Sequence, residues 1–261
     1  EIIERHGLTP NNHNHVSNYK FFRSACNNER VNEEIIRCLI EYFPDAVSTT
    51  YNNGCLPLHA ACYKSNVTLD IIQLLIDAHP DSVRNVTNRG DMPLHCLCAN
   101  KKMDEATAIQ ILKLLIEKYP EAIRHTNNNG RLPIHIAAEW RSPDFCRVLI
   151  EAYRGSERMN TNDGTLPLHH ACAINSLATV EYLYRQYPDA INHATTRGMF
   201  PILYAIACTT KRDNPAVAVE TVQFLLDCDP NVKLQTLQGK SLLHIACVLD
   251  YNDSNIETGI H

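Results

Sequence analysis

The stretch GTLPLHHACA, residues 164–173, places His169 and His170 just ahead of Cys172. Imidazole and thiolate together are zinc ligands, and an imidazole beside a thiol is also the base that activates a nucleophile. CLC at 96–98 and HNH at 13–15 carry the same residue types at short spacing. Such groups become a site only if the surrounding elements converge them, with partners in different roles. The elements must therefore be read first.

They repeat. Aligned on glycine, the chain gives NNGCLPLHAAC (52–62), NRGDMPLHCLC (88–98), NNGRLPIHIAA (128–138), NDGTLPLHHAC (162–172), TRGMFPILYAI (196–206) and LQGKSLLHIAC (237–247). The glycines Gly54, Gly90, Gly130, Gly164, Gly198 and Gly239 are 36, 40, 34, 34 and 41 residues apart. A second signal recurs between blocks: FPDAV, HPDSV, YPEAI, YPDAI and DPNV. A fixed period of this size marks an array of stacked supersecondary units.

Within a period the apolar pattern is helical. Ile109, Ile111, Leu112, Leu114, Leu115 and Ile116 form one broad face, and Val180, Tyr182, Leu183 and Tyr187 another. Small residues after each PLH, such as Ala60, Ala61 and Cys62, suit a tightly packed first helix. Asn-Gly and Asp-Gly supply positive φ at a hairpin tip. Pro57, Pro93, Pro133, Pro167 and Pro201 fit the first turn of a helix, where a missing N–H costs nothing. Pro44, Pro80, Pro120, Pro188 and Pro230 mark where each second helix stops.

Glycine, then P-L-H-x-A three residues on, then an apolar helix resembles the ankyrin repeat over residues 18–258. The resemblance implies an all-α ankyrin-repeat solenoid of stacked antiparallel helix pairs with projecting β-hairpin loops, whose hairpins and first helices line a concave face. The organisation expected is a linker or disordered lead at 1–17 and an ankyrin repeat domain at 18–261. Its repeats fall at about 18–50, 51–86, 87–126, 127–160, 161–194, 195–235 and 236–261. The first is divergent, with Phe21 and Phe22 where Pro57 and Leu58 stand in the next. The last is incomplete, so Leu243, Ile245 and Ala246 are expected to be left exposed and the chain to be a fragment or truncated.

Several positions depart from the family pattern. The threonine usual before the proline is replaced by Leu56, Met92, Leu132, Leu166 and Phe200, with Ser241 nearest to it. Apolar packing is expected to substitute for the lost hydroxyl in fixing the motif histidine. Leu203 stands in place of that histidine in one repeat. NKKMDEATA and TTKRDNPAVA are inserted, and are expected as polar surface loops.

The repeat register reassigns the chemical-looking residues. His59, His95, His135, His169 and His244 hold one fixed place per repeat, which fits a structural bridge between the turn backbones of adjacent repeats. Cys62, Cys98, Cys172 and Cys247 share a position with Ala138 and Ile206, that of a small buried apolar residue. No P-loop, GxGxxG, GxSxG or HExxH is present, so no catalytic, cofactor-binding or metal residue is assigned. Residues without motif duty are the recognition candidates. These are Arg89, Asp163 and Arg197 on hairpin tips, His170 and Tyr204 after the histidine position, and Tyr63, Lys64, Trp140 and Arg141 farther along. Asn52, Asn53, Asn88, Asn128, Asn129, Asn162, Thr196 and Gln238 also sit at tips, with the asparagines reading first as turn formers. Trp140, the only tryptophan, reads equally as an interface anchor or as packing against its own loop.

Composition narrows the function. A net charge of −5 with no basic stripe disfavours nucleic acid. No apolar run approaches the roughly 20 residues of a membrane span. Eleven cysteines without paired zinc-finger spacing read as reduced thiols in an intracellular compartment, and the chain is expected to be a cytoplasmic monomer. The function expected is non-catalytic binding of a protein partner, as a scaffold, through the concave groove and hairpin tips. The alternative is a substrate-recruiting or regulatory module of a larger enzyme; a zinc or thiol enzyme centred on His170 and Cys172 is a third reading.

Overall fold

Where a whole period is described, it folds into a hairpin turn, a short helix, a loop and a longer helix. The computed structural model describes residues 32–50, 53–208, 215–234, 236–237 and 239–249. The expected lead at 1–17, the divergent first helix with Phe21 and Phe22, and the tip residues Asn52 and Gln238 lie outside these. So do residues 209–214, the C-terminal NIETGIH and the side chain of Cys247. The chain divides between Asn128 and Asn129 into two compact bodies.

The N-terminal body contains α1 (Glu33–Tyr42), α2 (Pro57–Tyr63), α3 (Leu69–Ala78), α4 (Pro93–Ala99) and α5 (Glu105–Lys118). The C-terminal body contains α6 (Pro133–Trp140), α7 (Pro143–Ala152), α8 (Pro167–Ile174), α9 (Leu177–Gln186), α10 (Pro201–Ala207), α11 (Pro215–Cys228) and α12 (Leu242–Leu249). A two-residue hairpin, β1 (Thr236–Leu237) with β2 (Lys240–Ser241), precedes α12. In each body the short helices stack on short helices, α2 on α4 and α6 on α8 on α10. The longer ones pack α1 on α3 on α5 and α7 on α9 on α11.

The short helices begin where extended Leu56, Met92, Leu132 and Leu166 hand over to a proline in the first turn. Their small interior residues let backbones approach: Ala61, Cys62, Cys98, Ala137, Ala138, Ala171 and Cys172 are at most 1% exposed. The longer helices are amphipathic and capped by side chains. Thr68, Asp104 and Ser142 accept from the N–H groups of Ile71, Thr107 and Phe145. Four of them end two residues before a proline, with Phe43, His79, Tyr119 or Tyr187 as the C-cap, and the proline opens a 3₁₀ turn. That turn buries a small and a branched residue, as with Ala122 and Ile123. One period has no proline there; Gly155, at φ 95°, makes the exit instead.

Three expectations are corrected. The inserted NKKMDEATA is loop only as far as Asp104, whose carboxylate caps α5, so the remainder lengthens that helix to 14 residues against 10 in α3. Likewise PAVA of the second insertion forms the start of α11, also 14 residues. At the last repeat Leu243 is 75% exposed and Ala246 is exposed, but Ile245 is buried as α12 packs on α10.

Candidate functional site

The hairpins present Arg89, Asp163 and Arg197, and their rigidity has a defined origin. Thr87, Thr161 and Thr195 close each turn twice. The backbone N–H of each donates to the carbonyl oxygen four residues on, and its hydroxyl accepts the N–H of that same residue. Successive tips are then joined. The N–H of Asn88 donates to the Asn53 carbonyl and that of Asn128 to the Arg89 carbonyl, both at 2.9 Å. In the C-terminal body Asn162 and Thr196 do the same to Asn129 and Asp163. Glycine is required at Gly90 on two counts. Its φ is +77°, and a Cβ there would lie 2.6 Å from Asn128 Oδ1 and 2.8 Å from its backbone nitrogen.

The motif histidines bolt the helices to these hairpins. In His59, His95, His135 and His169, Nδ1 accepts the backbone N–H three residues earlier, at 3.0–3.2 Å. That contact fixes the proton on Nε2, which donates to a carbonyl of the following repeat or of the exit leading to it: Asp91 for His59, Met159 for His135, His193 for His169. The bridge between repeats holds as expected, but the fixing group is not apolar packing. A backbone N–H replaces the absent threonine hydroxyl. Ser241 keeps a hydroxyl, 2.7 Å from His244 Nδ1. Burial dominates the ionisation of His59, His135 and His169, and lowers His59 to about 4 and His169 to about 3. They are neutral scaffold groups.

A second set, unforeseen from the motif, stands behind them. His125 and His193 donate through Nε2 to the carbonyls of Gly90 and Gly164 and meet His95 and His169 edge to face. Asn100 similarly donates to the carbonyls of Cys62 and Lys64, and Asn175 to those of Ala138 and Arg141.

The recognition candidates separate into two groups. Arg89 and Arg197 are exposed on their tips, Tyr63 is 57% exposed, and Tyr204 is half-buried against the His169 ring. Trp140 is half-buried at the end of α6. Two candidates are misplaced. Lys64 and Arg141 are 8% and 2% exposed, because they follow the last turn of a short helix, where the next repeat covers the chain. Arg141 lies over the Phe145 ring at 4.9 Å, and its carbonyl takes bonds from Asn175 and Thr179. They hold the stack and present little to solvent.

With hairpin, paired helices and histidine bridge recurring in register, the comparison with known families becomes decisive. A family profile described as "Ankyrin repeats (3 copies)" matches residues 22–118, 66–163 and 103–196. The chain is an ankyrin-repeat protein. No curated protein matches it. Ankyrin repeats are protein-interaction modules, and the all-α class expected for the chain follows from the same match.

In this ankyrin array one polar cluster has no counterpart in the other described repeats. His170, expected to point freely outward, is held on both ring nitrogens: Nδ1 is 2.9 Å from Glu139 Oε1 and Nε2 is 3.1 Å from Thr165 Oγ1. Glu139 is also ion-paired to Arg131, whose Nη2 is 3.2 Å from the same Nδ1. Thr165 reaches on to Asp163 at 2.9 Å, and Thr161 bonds both. Burial raises the Glu139 carboxyl, but the bond to His170 and the charges of His170 and Arg131 outweigh it and keep it low. Burial and Arg131 lower His170 against the pull of Glu139 and Asp163. The signal was present in the register. Glu139 shares its place with Tyr63, Ala99, Ala173 and Ala207, and Arg131 shares its place with Cys55, Asp91, Thr165 and Met199.

The thiols fit the packed positions assigned to them. Cys62, Cys98 and Cys172 are 0% exposed, while Ile206 at the equivalent place is half-buried and Cys208 takes the interior instead. Burial pushes the Cys62 and Cys96 thiols far above the ordinary range, which suppresses the reactive thiolate. Among the described residues no group of three or more His, Cys, Asp or Glu is arranged to hold a metal ion. Among those residues, too, no helix is long and apolar enough to cross a membrane.

Proposed function

We propose that this protein is a non-catalytic scaffold that binds a protein partner through the hairpin tips and the short-helix side of its repeats. The observation that carries this reading is the tip ladder. Residues that vary between repeats, Arg89, Asp163 and Arg197, stand on loops fixed by threonine hydroxyls and by backbone bonds to the neighbouring tip. A surface already ordered loses little conformational entropy on binding, so contacts convert efficiently into affinity. His169 and His170 have both ring nitrogens hydrogen-bonded, and Cys96, Cys98 and Cys172 are buried, which supports the non-catalytic part. An intracellular, cytoplasmic monomer without cofactor or metal remains the setting proposed.

Affinity capture with the full chain tests it. A protein captured by the wild type is expected to be lost with Arg89→Ala plus Arg197→Ala, and retained with Arg147→Ala plus Arg185→Ala on the longer helices, all folding alike. The reverse pattern overturns the assignment of the binding side.

A further inference from the structure

Glu139, His170, Thr165 and Asp163 lie in a row. Glu139 Oε1 is 2.9 Å from His170 Nδ1, His170 Nε2 is 3.1 Å from Thr165 Oγ1, and Thr165 Oγ1 is 2.9 Å from Asp163 Oδ1. Each of these three contacts needs one hydrogen. A neutral imidazole supplies one and the Thr165 hydroxyl another, while ionised carboxylates supply none. The row is therefore one hydrogen short in either tautomer. With the ring hydrogen on Nε2, bare Nδ1 faces Glu139. With it on Nδ1, the Thr165 hydroxyl must turn to Nε2, and its oxygen then faces Asp163 bare. Thr161 does not fill the gap, because its own hydroxyl donates to Asp163. Arg131 Nη2, paired with Glu139, stands 3.2 Å from Nδ1 and covers the gap while the ring is neutral.

The gap is within reach of solvent: the Arg131, Glu139 and His170 side chains are 20%, 10% and 12% exposed. Around the ring stand His135 and Glu139 of α6, Arg131 of the hairpin before α6, Asp163 of the next hairpin and His169 of α8. Tyr204 of α10 lies against the His169 ring. Burial holds His135 and His169 neutral, so Arg131 is the charge that opposes a proton on His170, and Glu139 and Asp163 favour one. The row also crosses between repeats. Glu139 ends the short helix of one, and Asp163 stands on the tip of the next, where its carbonyl takes the N–H and the hydroxyl of Thr196 at 2.9 Å each. Elsewhere the place of Glu139 is held by Tyr63, Ala99, Ala173 and Ala207, so among the described repeats the row occurs at one junction.

We propose that His170 and Glu139 form a proton-binding site that ties the hairpin tip carrying Asp163 to α6 as the medium turns acidic. One proton from solvent completes the row. The imidazolium donates from Nδ1 to Glu139 and from Nε2 to Thr165, and Thr165 donates on to Asp163, so every contact holds one hydrogen. Arg131 keeps its bond to Glu139 and gives up its approach to Nδ1. The bonds that form are charge-assisted at the Glu139 end, which makes that link the strong one. The site goes beyond the interaction reading and does not depend on it, since a proton can be titrated without a partner.

Proton–nitrogen correlation spectra of the imidazoles in the full chain, recorded as pH is lowered from neutrality, test this, with His170 assigned by comparison with His170→Gln. Burial and Arg131 hold the ring below the ordinary histidine value, so one His170 step is expected on the acid side of it. The backbone amide signals of Asp163 and Gly164 are expected to move with the same midpoint, and to lose that step in His170→Gln. Glu139→Gln is expected to lower the proton affinity of His170 at least about ten-fold, and Asp163→Asn by a smaller factor. Arg131→Gln is expected to raise it at least about three-fold. These two effects have opposite signs, so if either variant fails to fold the other still decides. No His170 step before the chain unfolds, or a midpoint that Glu139→Gln and Arg131→Gln leave in place, overturns the site. A His170 step that the tip amides do not follow overturns the tie to the tip.

Discussion

His169 and His170 are neighbours in sequence, but they make different demands on the fold. His169 is 0% exposed and bonds the Leu166 N–H and the His193 carbonyl, so removing it leaves a buried donor and acceptor unpaired around a cavity. His169→Ala is expected to destabilise the protein by about 2–4 kcal/mol in urea unfolding. His170→Ala leaves the Arg131–Glu139 pair in place and is expected to cost about 1 kcal/mol. Equal losses would contradict the division between scaffold and cluster. The buried imidazoles also set a pH dependence. They are neutral in the fold, at about 4 for His59 and about 3 for His169, while the unfolded chain binds protons below the ordinary histidine value of about 6.5. Their contribution is complete above that value and is lost as pH falls from it toward the folded values. Each such histidine adds a slope of about 1.4 kcal/mol per pH unit in that window. Urea midpoints should fall between about pH 6.5 and 5, above the range where carboxylates titrate; a flat profile would contradict neutral burial. At this scale the repeat register was informative for His169 and Cys172. It gave no warning for Lys64 and Arg141, because polarity suggested exposure and only the stacking of the next repeat shows that they are covered.

At the scale of elements, a glycine matters by what its tip touches. Gly90→Ala meets both a positive φ and the Asn128 side chain and backbone, and is expected to cost about 2–4 kcal/mol. Gly155 has φ 95° but nothing within 4 Å of where an added methyl would stand, so Gly155→Ala is expected to cost only the backbone strain, about 1 kcal/mol. Similar losses at the two sites, measured by thermal or urea unfolding, would remove the tip ladder from the account. The helix pairs, their prolines and the hairpins were legible because apolar period, Asn-Gly tips and first-turn proline agree with one another. The insertions were not legible. NKKMDEATA is polar and reads as loop, yet Asp104 is a strong cap and the alanines behind it continue a helix. The histidines His125 and His193 were also missed, since their partner carbonyls belong to the preceding hairpin, 35 and 29 residues away in sequence.

At the scale of the whole molecule, each body has two unlike sides: the hairpins with the short helices, and the longer helices with their exit turns. Which of them a partner covers decides the functional account. Hydrogen–deuterium exchange of the full chain, free and bound to a captured partner, reads this directly. Protection is expected in the tips and short helices, over 53–63, 88–99, 129–140, 162–174 and 196–207. Protection confined to the longer helices, over 69–78, 105–118, 143–152 and 177–186, would contradict it.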